Sequence, residues 1–244
     1  MLYKAEALSS YTLMSREENI GKIKDVYFDD RFWTVRYLVA DTGGWLTGRS
    51  VLISPYAVVS IDEAAETITT NLTTRQVEEA PSPEADAPVS RQFEMAYHDY
   101  YGWPYYWYGP YAWGGYVAPM PSAEKVSQEE RDSWDAHLRS AWEVRGYRVG
   151  ASDGDIGHVS DLLLDGDQWA FRYLIIDTRN WWPGKHVLFS PHWVESVDWP
   201  SRTVNVETDK ETIKGAPEYD EEAPISRDYE ENLHSYYSKE GYWY

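Results

Sequence analysis

The chain has 244 residues, a length that suits two domains of about 100 residues, and its 43% hydrophobic content is enough for each to bury a core. It has no Cys, which excludes disulfides, thiol nucleophiles and thiolate metal sites. The formal net charge of −19 argues against binding to nucleic-acid phosphates and leaves basic proteins or divalent cations as charged partners.

The N-terminal residues Met1 to Glu6 lack the apolar segment of a signal peptide. A chain without disulfides suits a reducing compartment. We therefore expect a cytoplasmic protein, and peripheral association with the inner membrane stays open.

Strand patterns come first along the chain. Residues 20–28 and 34–41 are rich in β-branched and aromatic side chains and flank a polar turn at 29–32, which predicts a β-hairpin. Three shorter strands are predicted at 51–54, 58–62 and 67–72. Many short strands separated by turns are typical of a small barrel or sandwich.

Two short helices follow the strands. Thr73 and Gln76 form a capping-box pattern that opens a helix ending near residue 79. After a proline-bracketed acidic stretch, Ser90 is the predicted N-cap of a second helix that ends near Tyr101.

The stretch from 100 to 123 carries no charge but is broken by Gly and Pro, so it does not fit a membrane-spanning helix. We predict an aromatic Gly/Pro linker over 109–136, with a short helix beginning at the capping box of Ser127 and Glu130.

The second half repeats the first with a constant shift of 136 residues and no gap, which indicates a tandem duplication. The predicted domains are 1–108 and 137–244. Among the repeated residues, Gly21, Asp25, Trp33, Arg36 and Tyr37 recur as Gly157, Asp161, Trp169, Arg172 and Tyr173.

Residues 20–29, 33–41 and 51–55, and their counterparts in the second half, resemble the PRC-barrel family, which is named for the cytoplasmic domain of the photosynthetic reaction centre H subunit. The resemblance implies a mainly β fold of two small PRC-type barrels, each with short C-terminal helices. It also implies a soluble, non-catalytic pair of domains with no cofactor, acting as an adaptor or scaffold for protein partners.

Other assignments stay open beside the adaptor. A homo-oligomer is compatible with the sequence. The alternative function is a small-ligand or divalent-cation binding protein that uses acidic turns and Glu–His helix faces.

The predicted hairpin register places Asp25 opposite Arg36, and Asp161 opposite Arg172 in the second repeat. Opposite charges across two strands stabilise a hairpin. We interpret both pairs as structural.

Glu94 and His98, repeated as Glu230 and His234, lie four residues apart on the second predicted helix and share a face. The spacing offers two metal ligands or a proton relay, but a solvent-facing pair is the commoner arrangement.

Aromatic side chains are the candidate partner-binding groups, because Tyr and Trp contribute much of the energy at protein interfaces. Packing on the barrel is the alternative for the loop residues. We expect the linker residues to be exposed. The candidates are Trp45, Trp181, Trp107 and Trp113.

The acidic turns at 29–30 and 165–167 lack the full oxygen-ligand pattern of a calcium loop, so we interpret them as turn chemistry. The sequence shows no nucleophile–base constellation. We therefore predict no catalytic residues.

Overall fold

The computed structural model describes residues 1–44, 46, 49–81, 89–120, 138–178 and 185–243. The chain divides into two compact units. Unit 1 comprises Met1, Tyr3–Trp142 and Asp165–Ala170, and unit 2 comprises Leu2, Glu143–Leu164 and Phe171–Tyr244.

The fold is mainly β, with short helices. The strands are β1 (Leu2–Lys4), β2 (Thr12–Met14), β3 (Asn19–Asp29), β4 (Thr34–Asp41), β5 (Ser50–Ile53), β6 (Val58–Asp62), β7 (Thr67–Thr70), β8 (Leu138–Ser140), β9 (Arg148–Ala151), β10 (Gly154–Asp165), β11 (Ala170–Asp177), β12 (His186–Phe189), β13 (Val194–Asp198) and β14 (Thr203–Val206). The helices are α1 (Ala5–Leu8), α2 (Thr74–Glu79), α3 (Arg91–Tyr101), α4 (Ala141–Val144), α5 (Lys210–Gly215) and α6 (Arg227–Tyr236).

In unit 1 the strands follow the order β5-β4-β3-β2-β7-β6, and β8 pairs with the end of β3. All neighbours are antiparallel except β2 and β7. No ladder among the described residues joins β5 to β6, so the sheet is open where the sequence predicts a barrel. The 3₁₀ turn Pro55–Ala57 separates these two strands, and Pro55 lacks the backbone donor that would extend β5.

The central strand β4 is buried on both faces from residue 34 to residue 40. Its run of apolar residues predicts such two-sided cover. The core around it includes Val26, Phe28, Ile53 and Ile68.

The predicted hairpin register is wrong by two residues. Asp29, rather than Phe28, begins the ladder and lies opposite Thr34. The Asp29 carboxylate accepts hydrogen bonds from the N–H groups of Arg31 and Phe32, and Trp33 adopts a left-handed φ of 54°. These features extend the turn through Trp33, and two bulges shift the register again further along the strands.

The register places Asp25 opposite Val39 instead of Arg36, so the predicted Asp25–Arg36 pair is also wrong. The Asp25 carboxylate accepts a hydrogen bond from Ser140 Oγ at 2.6 Å and one from the backbone N–H of Val26 at 2.7 Å.

Unit 2 has the strand order β12-β11-β10-β9-β14-β13, with β9 and β14 parallel. A cluster of side chains from β10, β11, β12 and α6 forms its core. The buried members are Leu163, Tyr173, Ile175, Leu188, Tyr219 and Leu233.

The helices in unit 1 begin where their capping residues predict. Thr73 and Gln76 form a reciprocal capping box at α2, and Ser90 caps α3 through the N–H of Phe93. Gly102 ends α3 in the left-handed conformation, with φ of 72°. None of the helices in the described ranges is long and apolar enough to span a membrane.

Candidate functional site

Helix α3 carries Glu94 and His98 on its buried face. Their side chains are one turn apart, and the two residues are 2% and 0% exposed. The expectation of a solvent-facing pair is therefore wrong.

Tyr37, at the centre of β4, connects the two side chains. Its Oη lies 3.0 Å from Glu94 Oε1 and 3.2 Å from His98 Nε2. Tyr106 Oη donates to the same Glu94 oxygen at 2.5 Å, and Arg91 Nη1 pairs with Glu94 Oε2 at 2.8 Å. A strand, a helix and the chain after the helix thus meet at one carboxyl group.

The partners of His98 and Tyr37 determine which atoms of this network donate and which accept. His98 Nδ1 lies 2.8 Å from the carbonyl oxygen of Pro104, which can only accept, so Nδ1 carries a proton and Nε2 of the neutral ring is an acceptor. Tyr37 then faces two acceptors with one proton. It donates this proton to Glu94 Oε1.

Burial shifts the pKa of both Glu94 and His98 toward their neutral forms. Burial raises the pKa of Glu94, although the charge of Arg91 and hydrogen bonds from Tyr106 and Tyr37 oppose the change. Burial lowers the pKa of His98 to about 3. Removing a charged group from water costs free energy, and this cost is the cause of both shifts.

Five aromatic rings besides that of Tyr37 surround His98. The nearest is that of Trp107, with centroids 5.2 Å apart, and that of Tyr106 follows at 5.8 Å. Tyr56, Trp103 and Tyr105 complete the set at 6.0 to 6.1 Å. The network is buried in the core and fixes the aromatic chain after α3 to the sheet.

Unit 2 contains the same network at positions 136 residues later. Tyr173 Oη lies 3.0 Å from Glu230 Oε1 and 2.9 Å from His234 Nε2, and Tyr242 Oη donates to Glu230 Oε1 at 2.7 Å. Burial lowers the pKa of His234 as well. The residues of the predicted metal pairs are thus hydrogen-bonded within the core of each unit.

Arg36 lies beside the unit 1 network and pairs with Asp29, at 2.8 Å from Nη2 to Oδ2. Its guanidinium carbon lies 3.8 Å from the ring centre of Tyr106 and 4.7 Å from that of Trp113. The charge is held between a carboxylate and two aromatic faces.

In unit 2 the guanidinium of Arg172 lies over the ring of Tyr242, 4.2 Å from its centre. Asp161 accepts a hydrogen bond from the N–H of Leu162 at 2.8 Å. The cross-strand pairing of Asp161 with Arg172 stays a prediction.

The predicted exposure of Trp107 and Trp113 is wrong. Trp107 is 7% exposed and Trp113 is 2% exposed. Trp107 packs against His98 and Tyr105, and Trp113 donates its indole N–H to the carbonyl oxygen of Gln168 at 3.0 Å. The sequence missed this burial because the residues come from a Gly/Pro-rich segment with no regular hydrophobic period.

Trp45 and Trp181 lie outside the described residues, as do the predicted helix at 127–130 and most of the acidic stretch before Ser90. Their proposed roles stay predictions.

Unit 2 also brings together two histidines that the sequence spacing does not connect. His158 Nε2 and His186 Nε2 lie 3.9 and 3.7 Å from the same oxygen of Asp177, and Glu221 contacts His186 Nδ1. Asp177 is directly opposite His186 in the β11–β12 ladder, a register that the sequence alone did not provide.

An open cavity of about 790 Å³ adjoins this cluster and is lined by Lys185, His186 and residues 218–222. Within the described ranges, no group of three or more His, Asp or Glu side chains is arranged to hold a metal ion.

Comparison with known families supports the fold assignment. The model of the PRC-barrel domain matches residues 5–76, which include strands β2 to β7 of unit 1. PRC-barrel domains are generally non-enzymatic and often mediate protein interactions. No curated protein matches the chain.

Proposed function

We propose that this protein is a non-catalytic PRC-barrel adaptor that binds protein partners. In this proposal the second unit is a tandem copy of the first, the domains are 1–108 and 137–244, and the protein acts in the cytoplasm. The PRC-barrel match in unit 1 and the 136-residue repeat support it.

The observation that carries the proposal is an exposed apolar surface on the segment after α3, which we call the 111–120 surface. Tyr111 is 51% exposed, Tyr116 42%, Val117 58% and Met120 45%. Few apolar side chains elsewhere in the described chain are as exposed, and none of the others cluster within ten residues. Such a cluster is typical of an interaction site.

Backbone bridges and a buried tryptophan order the 111–120 surface. Backbone bridges connect Tyr111 with Gly114 and Trp113 with Tyr116. Trp113 between them is buried and hydrogen-bonded. Rigid presentation matters because side chains that are already ordered lose less entropy when a partner binds.

The alternative function is small-ligand or divalent-cation binding through acidic turns and Glu–His helix faces, and the first of these faces carries Glu94 and His98. Both side chains are buried and already hold hydrogen-bond partners. The geometry therefore favours the adaptor.

Crosslinking pull-down from the native host tests the proposal. The triple substitution of Tyr111, Tyr116 and Val117 by Ser should abolish capture of specific partners and leave the melting curve almost unchanged, because exposed side chains contribute little to stability. The matched control replaces Tyr100 and Tyr236, which are 39% exposed and lie on helices, by Ser. Full capture by the triple variant would refute the assignment of this surface.

A further inference from the structure

We propose that the outer edge of β6 accepts an extended, basic protein segment as an added β-strand. This inference rests on the proposed adaptor function and names a second contact surface with the chemistry of its partner. The added strand belongs to a partner protein and not to a second copy of this chain.

The first observation is that β6 is an edge strand. Among the described strands it pairs with β7 and with no other. An edge strand presents backbone N–H and C=O groups along its outer side, and proteins usually protect such edges with charged residues.

The protection differs between the two units. Strand β13 of unit 2 has the charged residue Glu195, whereas the matching residue of β6 is Val59. Val59 is 65% exposed, more than any other large hydrophobic side chain among the described residues except Met1. The edge of β6 thus carries an apolar residue where its counterpart carries a charge.

The second observation is a groove of about 510 Å³ beside the strand. Residues 58–61 of β6 contribute to its lining, together with Tyr3, Tyr56, Pro119 and Trp169. Every second side chain of an added strand points to the same face, so a groove of this kind provides the side-chain contacts that accompany backbone pairing.

The third observation is the charge of the rim. Asp167 lines the groove with its side chain 88% exposed, Asp62 is the last residue of β6, and Glu63 follows it directly. Burial raises the pKa of Tyr3 in this groove, and the charges of Glu63 and Asp167 raise it further, so negative charge reaches the groove itself. A strand carrying Lys or Arg between apolar residues complements this rim.

The test uses the full-length protein and a synthetic nine-residue peptide of alternating valine and lysine with blocked termini. Binding is measured by fluorescence anisotropy, and backbone protection by hydrogen exchange. We expect the peptide to bind and to protect the amides of residues 58–62.

Three matched changes separate strand addition from general attraction. A peptide with alternate residues N-methylated should bind about tenfold or more weakly, because it loses several backbone hydrogen bonds. A peptide with glutamate in place of lysine should lose binding. Val59→Lys should weaken binding about tenfold, since a charge of the same sign as the peptide's and the loss of an apolar contact both oppose the complex.

Val117→Lys is the protein control, because it places the same charge on the 111–120 surface. It should leave peptide binding unchanged. If partner capture depends on the 111–120 surface while the peptide never protects β6, the strand-addition proposal fails and the adaptor proposal stands. If the peptide binds β6 but the 111–120 variants capture every partner, the surface assignment fails instead.

Other results overturn the inference directly. Equal binding of the N-methylated peptide would exclude backbone pairing, and this arm needs no protein variant. A dimer in sedimentation that Val59→Lys converts to a monomer would assign the edge to a second copy of the chain.

Discussion

Arg36 and Asp29 form a buried ion pair at the base of the unit 1 hairpin. Arg36 Nε and Nη2 lie 2.9 and 2.8 Å from the same Asp29 oxygen, and the side chains are 1% and 2% exposed. The other Asp29 oxygen accepts hydrogen bonds from the turn at Arg31 and Phe32. One carboxylate therefore joins the turn to the central strand.

Asp29→Ala should destabilise unit 1 by about 3–5 kcal/mol, because it leaves the buried guanidinium without its counter-charge. Urea unfolding of the full chain, followed by hydrogen exchange of residues 34–41, measures the loss. A loss below about 1 kcal/mol would show that the aromatic rings alone stabilise the cation.

A double-mutant cycle tests the observed register against the sequence expectation. Asp29 and Arg36 should couple strongly, whereas Asp25 and Arg36 should show a coupling near zero, since Asp25 is bonded to Ser140. Coupling of the second pair instead would contradict the structural register.

Trp113→Ala should destabilise unit 1 by about 3–5 kcal/mol, as expected for truncation of a buried aromatic side chain. Tyr111→Ala, two residues away and exposed, should cost no more than about 0.5 kcal/mol. Thermal unfolding of both variants provides the comparison. Equal melting temperatures would contradict the burial of Trp113.

Much of the fold follows from local pattern. Strand β6 and the starts of α2 and α3 agree with the sequence because β-branched runs and capping residues act over only a few positions. The hairpin register does not, because it depends on the left-handed conformation of Trp33 and on bulges that no residue pattern marks.

The candidate site was likewise predicted only where it depends on local sequence. The spacing of Glu94 and His98 correctly places them on one helix face, but which face is buried depends on Tyr37, which is 57 residues from Glu94 in sequence. Such long-range contacts are determined by packing. The pairing of His158 and His186 with Asp177 was missed for the same reason.

His98→Gln should reduce the acid sensitivity of unit 1. The folded pKa of His98 is about 3, below its ordinary value of 6.5. Below pH 6.5 the unfolded chain therefore binds a proton at this site that the folded chain does not bind. As the pH falls toward 3, this difference lowers the free energy of unfolding by about 1.4 kcal/mol per pH unit. The measurement is unfolding free energy at pH 7 and pH 5, and parallel losses in both proteins would contradict the assignment.

Glu94→Gln should change the pH dependence in the opposite direction. The folded pKa of Glu94 is raised above its ordinary value of 4.5, so the folded chain holds the proton more tightly. The stability from this group is complete below pH 4.5 and is lost as pH rises through the folded pKa. Gln remains neutral at every pH, so the variant should become more stable relative to the wild type as the pH rises across that range. A constant difference at every pH would show that Glu94 titrates alike in both states.

Gly21→Ala should destabilise unit 1 by more than about 1 kcal/mol, because the added methyl group has no room. Its Cβ would lie 2.1 Å from the carbonyl oxygen of Asp41, a backbone atom that cannot rotate away. Gly157 has the same close approach to Asp177 in unit 2, so Gly157→Ala should have a matching effect there. Gly115→Ala is the control, since nothing lies within 4 Å of its Cβ position. Hydrogen exchange resolved on β3 and β10 measures each unit separately. If Gly21→Ala and Gly115→Ala unfold at the same urea concentration, the close contact between strands β3 and β4 is not as the structure shows it.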